Sequence, residues 1–297
     1  MIAELHDAEL KDLELKANQA RQLVIETLVA AGSGHSAGPL GMADIFTAFY
    51  FHILKYDPKN PHWPDRDRLV LSNGHICPIL YVSMAQAGYF PISELSTLRK
   101  MDSRLQGHPH RTWLPGVETT SGPLGEGLSQ AIGIALAGRL DHKTYRVYCL
   151  TSDGEQQEGN IWEAAMFAGK IGLDTVTQII DRNNIQIDGT TETIMPLDSL
   201  VDKYRSFGWE VFEVEGNNIR AFIDVVAEAR AVHEKPSVII AHTIPGCGVS
   251  YMENNYLWHG NPPGLSDIPG APPKDEQTKV ALDELRASQA RIESERV

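Results

Sequence analysis

The chain has 297 residues, 42% of them hydrophobic, and a formal net charge of -13, enough length to bury a substantial core in one large α/β domain. Phosphate neutralisation needs clustered Lys and Arg, which this acidic sequence lacks, so nucleic acid is excluded as a partner. Cys77, Cys149 and Cys247 are odd in number and far apart, which excludes a disulfide framework or a CxxC site and fits reduced thiols. In chain order, apolar positions recur at helical spacing from Ala8 to Ala31 and stop at the Gly-rich segment Gly32–Gly38, predicting a helix and then a loop. This N-terminal stretch is charged, unlike a signal peptide, and no apolar run is long enough for a bilayer, so a cytoplasmic protein with no membrane partner is expected. Short strands are predicted at Leu69–Asn73, Tyr145–Thr151, Val176–Asp181, Trp209–Val214 and Ser237–His242. Helical patterns lie between them at Gly127–Leu140, Gln157–Ile171 and Ile219–Val232. That alternation predicts an α/β fold, a mostly parallel sheet with helices on both faces. A Pro- and Gly-rich stretch from His259 to Pro273 leads to a charged, periodic tail, Pro272–Val297, expected to be an exposed helix.

Ligands of parallel sheets sit at the carboxyl ends of the strands. Two predicted strand ends run into polar, Gly-containing segments, Ser152-Asp153-Gly154 and Arg182-Asn183-Asn184. In a parallel sheet the Asp153 and Asn183 oxygens can converge on one edge. With a backbone carbonyl such as that of Ile185 they form a partial set of hard oxygen ligands, suited to Mg2+ or Ca2+ that completes its shell with water and phosphate. Gly154 lets the backbone approach a diphosphate, and the following helix would present its N-terminal N–H groups. Taken singly, Asp153 reads more readily as a helix cap and Asn183 as a turn residue than as ligands.

Together these residues match the thiamine-diphosphate fingerprint, and the run DGEQQEGNIWEA followed by DRNNIQIDG resembles transketolase. The likeness extends, in family order, through the loop Ser33–Gly41, the segment Leu71–His75, Gly107-His108-Pro109, Thr120–Gly127, Gly246–Glu253 and Trp258-His259-Gly260. The resemblance implies a thiamine-diphosphate-binding fold of the diphosphate-binding (PP) type over residues 1–270, with 271–297 as a helical tail. It also implies roles. Asp153, Asn183 and the Ile185 carbonyl would hold Mg2+ against the diphosphate, which Gly154 and His259 would contact. Gly122 and Leu124 would line the middle of the cofactor. His35, His75 and His108 would face the thiazolium and the sugar hydroxyls, with His259 nearby; neutral histidines suit proton movements at sugar oxygens. Glu158 and Glu163 match family acids at a subunit interface, and Glu158 is also expected among the catalytic and cofactor-binding residues. The sequence departs from the family at Ser152 for the usual Gly, at Glu126 for Gln, and at Ile244–Gly248, where a Lys-bearing segment is typical.

Members of that family are far longer, and their remaining portion carries the pyrimidine-binding domain with the glutamate that promotes loss of the cofactor's C2 proton. The expectation is therefore one half of a split enzyme. Its partner would be a complementary C-terminal transketolase subunit in an α2β2 assembly, transferring a two-carbon ketol unit between sugar phosphates. A split transketolase for an unusual sugar phosphate is an alternative. So are a 1-deoxyxylulose-5-phosphate synthase-like protein, the α chain of a 2-oxo acid dehydrogenase and a non-catalytic module of the same fold. The Rossmann and P-loop signatures are absent. The partner-facing surface is expected to be apolar around Gly127–Leu140 and Gln157–Ile171.

Overall fold

Seven strands are present in the computed structural model, which describes residues 2–295. They are β1 (Arg68–Leu71), β2 (Val147–Ser152), β3 (Val176–Arg182), β4 (Ile185–Gln186), β5 (Gly189–Thr190), β6 (Glu210–Glu215) and β7 (Ser237–His242). Five of them form one sheet in the order β1-β2-β3-β7-β6, parallel at every pairing. The other two, β4 and β5, make a small antiparallel ladder just beyond the end of β3. The α/β expectation therefore holds, and each predicted strand is found with its ends shifted by no more than about two residues.

Side chains alternate across a strand, so each buried strand feeds two cores. Leu69, Leu71, Tyr148, Leu150, Ile179 and Ile239 pack into one hydrophobic cluster. Their neighbours Val70, Val147, Cys149, Val176, Ile180, Val238 and Ile240 pack into the other. The first face is covered by α1 (Asp7–Ala31), α2 (Ala37–Gly41), α3 (Ala43–Ala48) and α4 (Cys77–Gln86), and also by α9 (Ile219–Ala231) and α10 (Lys274–Ser294). Against the second lie α5 (Glu126–Leu140), α6 (Gly159–Lys170) and α8 (Leu200–Ser206), while the single turn α7 (Thr191–Ile194) follows β5. Helix α1 ends where Gly32 turns left-handed at φ 67°, its N–H bonded to the Leu28 carbonyl at 3.0 Å, which is where the Gly-rich segment predicts the helix to stop; the loop that follows is shorter than expected, since α2 begins at Ala37.

Two sequence expectations need correction. The helix predicted from Gln157 starts at Gly159, because a 3-10 turn, Gly154–Gln157, comes first. The Glu155 carboxylate folds back to accept the Ser152 and Gly125 N–H groups at 3.1 and 2.6 Å, and this tight loop postpones the helix. The C-terminal helix is also not simply exposed: it packs along α1, burying Ala281, Leu285 and the Gln277 amide. Met1 of the expected domain and Arg296 and Val297 of the expected tail lie outside the described residues.

Candidate functional site

All the motif residues with chemistry gather at the carboxyl edge of the sheet. Strand β1 leads into Ser72 to His75, β2 into Asp153 and β3 into Asn183, and the strands run in register, with Ser152 opposite Asp181 and Asp181 opposite Ala241 of β7. The ladder continues one step further, the Asp153 N–H donating to the Asp181 carbonyl at 3.1 Å.

Asp153 is fully buried. Its Oδ1 accepts the Gly154 N–H at 2.7 Å, and its Oδ2 accepts the Asn184 N–H at 2.6 Å and Arg182 Nη1 at 3.3 Å. Burial raises its pKa to about 6, against the lowering pull of these donors. The cap reading of Asp153 is thus realised as well, with Gly154 as the capped residue. Asn183 is held from both ends of its amide: Nδ2 donates to Asp181 Oδ2 at 2.7 Å, and Oδ1 accepts the Ile185 N–H at 3.1 Å. Asp181 in turn accepts from the Thr243 hydroxyl, and burial raises its pKa to about 7. Asp153 is therefore bonded, through the Asn184 N–H, to the turn that carries Asn183 and Ile185, and Asn184 closes that turn at φ 63°. No cluster of three or more His, Cys, Asp or Glu side chains is arranged for a metal among the described residues; the expected donor set contains only one such side chain, Asp153, beside an amide and a carbonyl.

A cavity of about 470 Å³ opens beside this turn, lined by His35, His75, His108, Gly122, Leu124, Gly154, Glu158, Ile185 and His259. Every residue expected at the site except Asp153 and Asn183 lines it, and those two sit directly beneath, next to Gly154 and Ile185. Three histidines make a triangle: ring centroids are 4.9 Å apart for His35 and His75, 5.4 Å for His35 and His259, and 5.2 Å for His75 and His259. Removal from water, reinforced by neighbouring cationic forms, pushes His35 down to about 3 and His75 well below the usual imidazole range; burial alone takes His259 to about 4. All three are neutral at pH 7, each offering one donor and one acceptor nitrogen. His108 stands at the more open side, shifted down mainly by partial burial and then by Arg99. Gly122 faces it at φ 151°, a conformation that favours glycine, with space for a Cβ only at ordinary contact distance from the imidazole.

Glu158 lines the cavity yet is largely exposed, and Glu163 lies on α6, outside the cavity lining. Sequence reasoning missed Glu155, Gln157, Gln186 and Ile187 as lining residues. Glu155 is fully buried and ties Ser72, Gly125 and Ser152 together, and burial raises its pKa to about 7. An acid immediately after Asp-Gly, inside a segment already singled out, was the available signal.

The residues present fit both a diphosphate cofactor and a divalent cation. A buried carboxylate bonded to a turn that offers an amide oxygen and a carbonyl oxygen is a hard-oxygen donor set. The cavity beside it holds neutral imidazoles, and the buried His35 Nδ1 has no hydrogen-bond partner among the described residues, leaving it free for a ligand.

Residues 13–274 match the family model described as "Transketolase, thiamine diphosphate binding domain". Over 248 residues the chain is 44% identical to the 6-deoxy-6-sulfo-D-fructose transketolase subunit SqwG of Clostridium sp. (strain MSTE9), covering 84% of this chain and 90% of that protein. It is 40% identical over 255 residues to an apulose-4-phosphate transketolase subunit of Phocaeicola vulgatus, covering 86% and 90%. Among solved structures, transketolase from Campylobacter jejuni superposes with a TM-score of 0.80 at 30% identity, covering 95% of this chain and 48% of its own. The chain thus spans about half the length of that solved enzyme.

Proposed function

The chain belongs to the transketolase family through its thiamine diphosphate binding domain, and from that membership we propose that it is the diphosphate-binding subunit of a two-subunit transketolase. The observation that carries this reading is the convergence, on one sheet edge, of the Asp153–Asn183–Ile185 turn and the neutral triangle His35, His75 and His259, drawn from separate stretches of sequence. In this reading Asp153, Asn183 and the Ile185 carbonyl hold Mg2+, with Ca2+ as an alternative. Gly154 and His259 contact the diphosphate, and Gly122 and Leu124 flank the middle of the cofactor. When bound, thiamine diphosphate supplies a carbon nucleophile and an electron sink for a two-carbon ketol unit. His35, His75, His108 and His259 receive and return protons at sugar oxygens, a role that requires them to be uncharged at rest. Glu158, at the cavity mouth, and Glu163, on α6, belong to the contact with the second subunit.

Relatives that this chain covers to 90% of their length are themselves named subunits, which supports a complementary chain; in this reading that chain carries the pyrimidine-binding and C-terminal domains and the assembly is α2β2. The domain division at about residue 270 goes with this: the family match ends at 274, where α10 begins. Three free thiols support a cytoplasmic setting. The names of these two relatives also favour a more specific reading, in which the donor is an unusual ketose carrying an anionic group rather than a common pentose phosphate.

The test is ketol transfer from xylulose 5-phosphate to ribose 5-phosphate, with thiamine diphosphate and Mg2+. It is run on this chain alone, on the chain with its complementary subunit, and with a sulfonated or branched ketose phosphate as donor. Turnover is expected only in the mixture. Activity of the chain alone would refute the split, and silence of the mixture with every donor would refute the transketolase assignment.

A further inference from the structure

Arg182 closes β3, and its guanidinium is buried between acids of two different segments. Nη1 donates to Asp153 Oδ2 at 3.3 Å and to the Thr191 hydroxyl at 3.0 Å; Nη2 donates to Glu192 Oε1 at 2.7 Å. Glu192 also accepts the Leu197 N–H at 3.1 Å, so one ion pair fastens the segment from Thr191 to Leu197. The same segment reaches the cavity, where Gln157 donates to the Met195 carbonyl at 2.7 Å.

Asp153 is therefore already shared. One of its oxygens faces a fixed positive charge from its own chain, and a divalent cation placed on that carboxylate would meet the guanidinium in a buried setting where like charges repel strongly. On the far side Glu192 draws the same guanidinium the other way. Asp198 Oδ1, 3.9 Å from Nη2 and exposed, adds a weaker pull on that side, so the position is a balance between Asp153, offered to the metal, and Glu192 with Asp198, which are not.

We propose that Arg182 is a positioning residue that sets the divalent-cation affinity of the Asp153–Asn183 turn, its charge competing with the metal for Asp153 and Glu192 fixing how strongly it competes. The inference rests on the metal site assigned under Proposed function. It carries a mechanical corollary: a cation on Asp153 pushes Arg182 toward Glu192 and tightens the Thr191–Leu197 segment against Gln157, so that metal occupancy and loop order rise together.

Mg2+ is titrated calorimetrically into the complex of this chain with its complementary subunit at saturating thiamine diphosphate. Arg182→Met is expected to bind Mg2+ roughly three-fold more tightly than wild type and Glu192→Gln roughly three-fold more weakly, while Arg182→Lys stays within about two-fold. Hydrogen exchange in 191–197 is expected to slow when Mg2+ is added to the wild type and to lose that response in Arg182→Met. A merely structural Arg182 would weaken binding in both Arg182→Met and Glu192→Gln, so a shift of both in the same direction, or of neither, overturns the proposal. If Arg182→Met does not fold, Glu192→Gln decides: unchanged or tighter Mg2+ binding at an unchanged melting temperature overturns it. Absence of any Mg2+-dependent cofactor binding in the wild type would instead overturn the metal site itself, and the role of Arg182 with it.

Discussion

His35 shows how the fold prepares a side chain. An imidazole free in water titrates near 6.5, whereas burial and the neighbouring rings bring it to about 3 here. Between those values the unfolded chain binds a proton that the native chain refuses, so native stability falls as pH drops from 6.5 toward 3. Replacing His35 with Gln removes that contribution. In urea unfolding at pH 7 and pH 5, the wild type is expected to lose more stability than the variant, by up to roughly 1 kcal/mol per pH unit. Parallel losses in the two proteins would show that His35 does not resist protonation. The same comparison for His259, lowered to about 4, should give the same sign over a narrower window. Asp153 and Asn183 illustrate the limit of reading residues singly. Each does what its plainest reading assigns to it, capping and turning, and the register of β2 and β3 is what makes them a pair.

At the scale of elements, legibility depended on contrast between faces. Helices α1, α5, α6 and α9 have one exposed side, and their periodicity places them within a few residues. Helix α4 gives no such signal, since Cys77 to Ala85 are all buried, leaving no polar stripe to mark a period. The same holds for α2 and α3, whose residues are buried on every side, and the glycines of α2 suggest a loop instead. Arg182 carries no signal of its own because its meaning lies in Asp153 and Glu192, which the fold and not the spacing brings to it. Helix α10 has a charge pattern that predicts exposure, although Ala281 and Leu285 sit four residues apart on one stripe and are fully buried against α1. Leu285→Ala should therefore cost about 2 to 5 kcal/mol, as core truncations do. A change below about 0.5 kcal/mol in chemical denaturation, the usual size for surface positions, would return α10 to the solvent.

Taken whole, the molecule leaves large apolar side chains uncovered on α5 and α6: Leu140 is 72% exposed, Met166 56% and Phe167 46%. This is the surface expected to be apolar from the sequence. Ile187, at the cavity, and Ile194 and Met195, in the segment that reaches it, are exposed as well and extend the apolar area beyond the expected helices. An acidic protein with such a face gains by covering it. Phe167→Glu should leave the melting temperature of the isolated chain within about 2 °C, as a substitution at an exposed position, and abolish co-elution with the complementary subunit in size-exclusion chromatography. Retained co-elution would place the subunit contact elsewhere.

The Ser36 hydroxyl, next to His35, lies 2.7 Å from the carbonyl of Asn261, two residues past His259, and these partners are 225 residues apart in the chain. Seen from the ribosome, that bond is a schedule. At translation rates of about 5–20 residues per second, Ser36 is added to the chain roughly 10 to 45 s before its partner. The histidine triangle can therefore close only after the chain through Asn261 has been made.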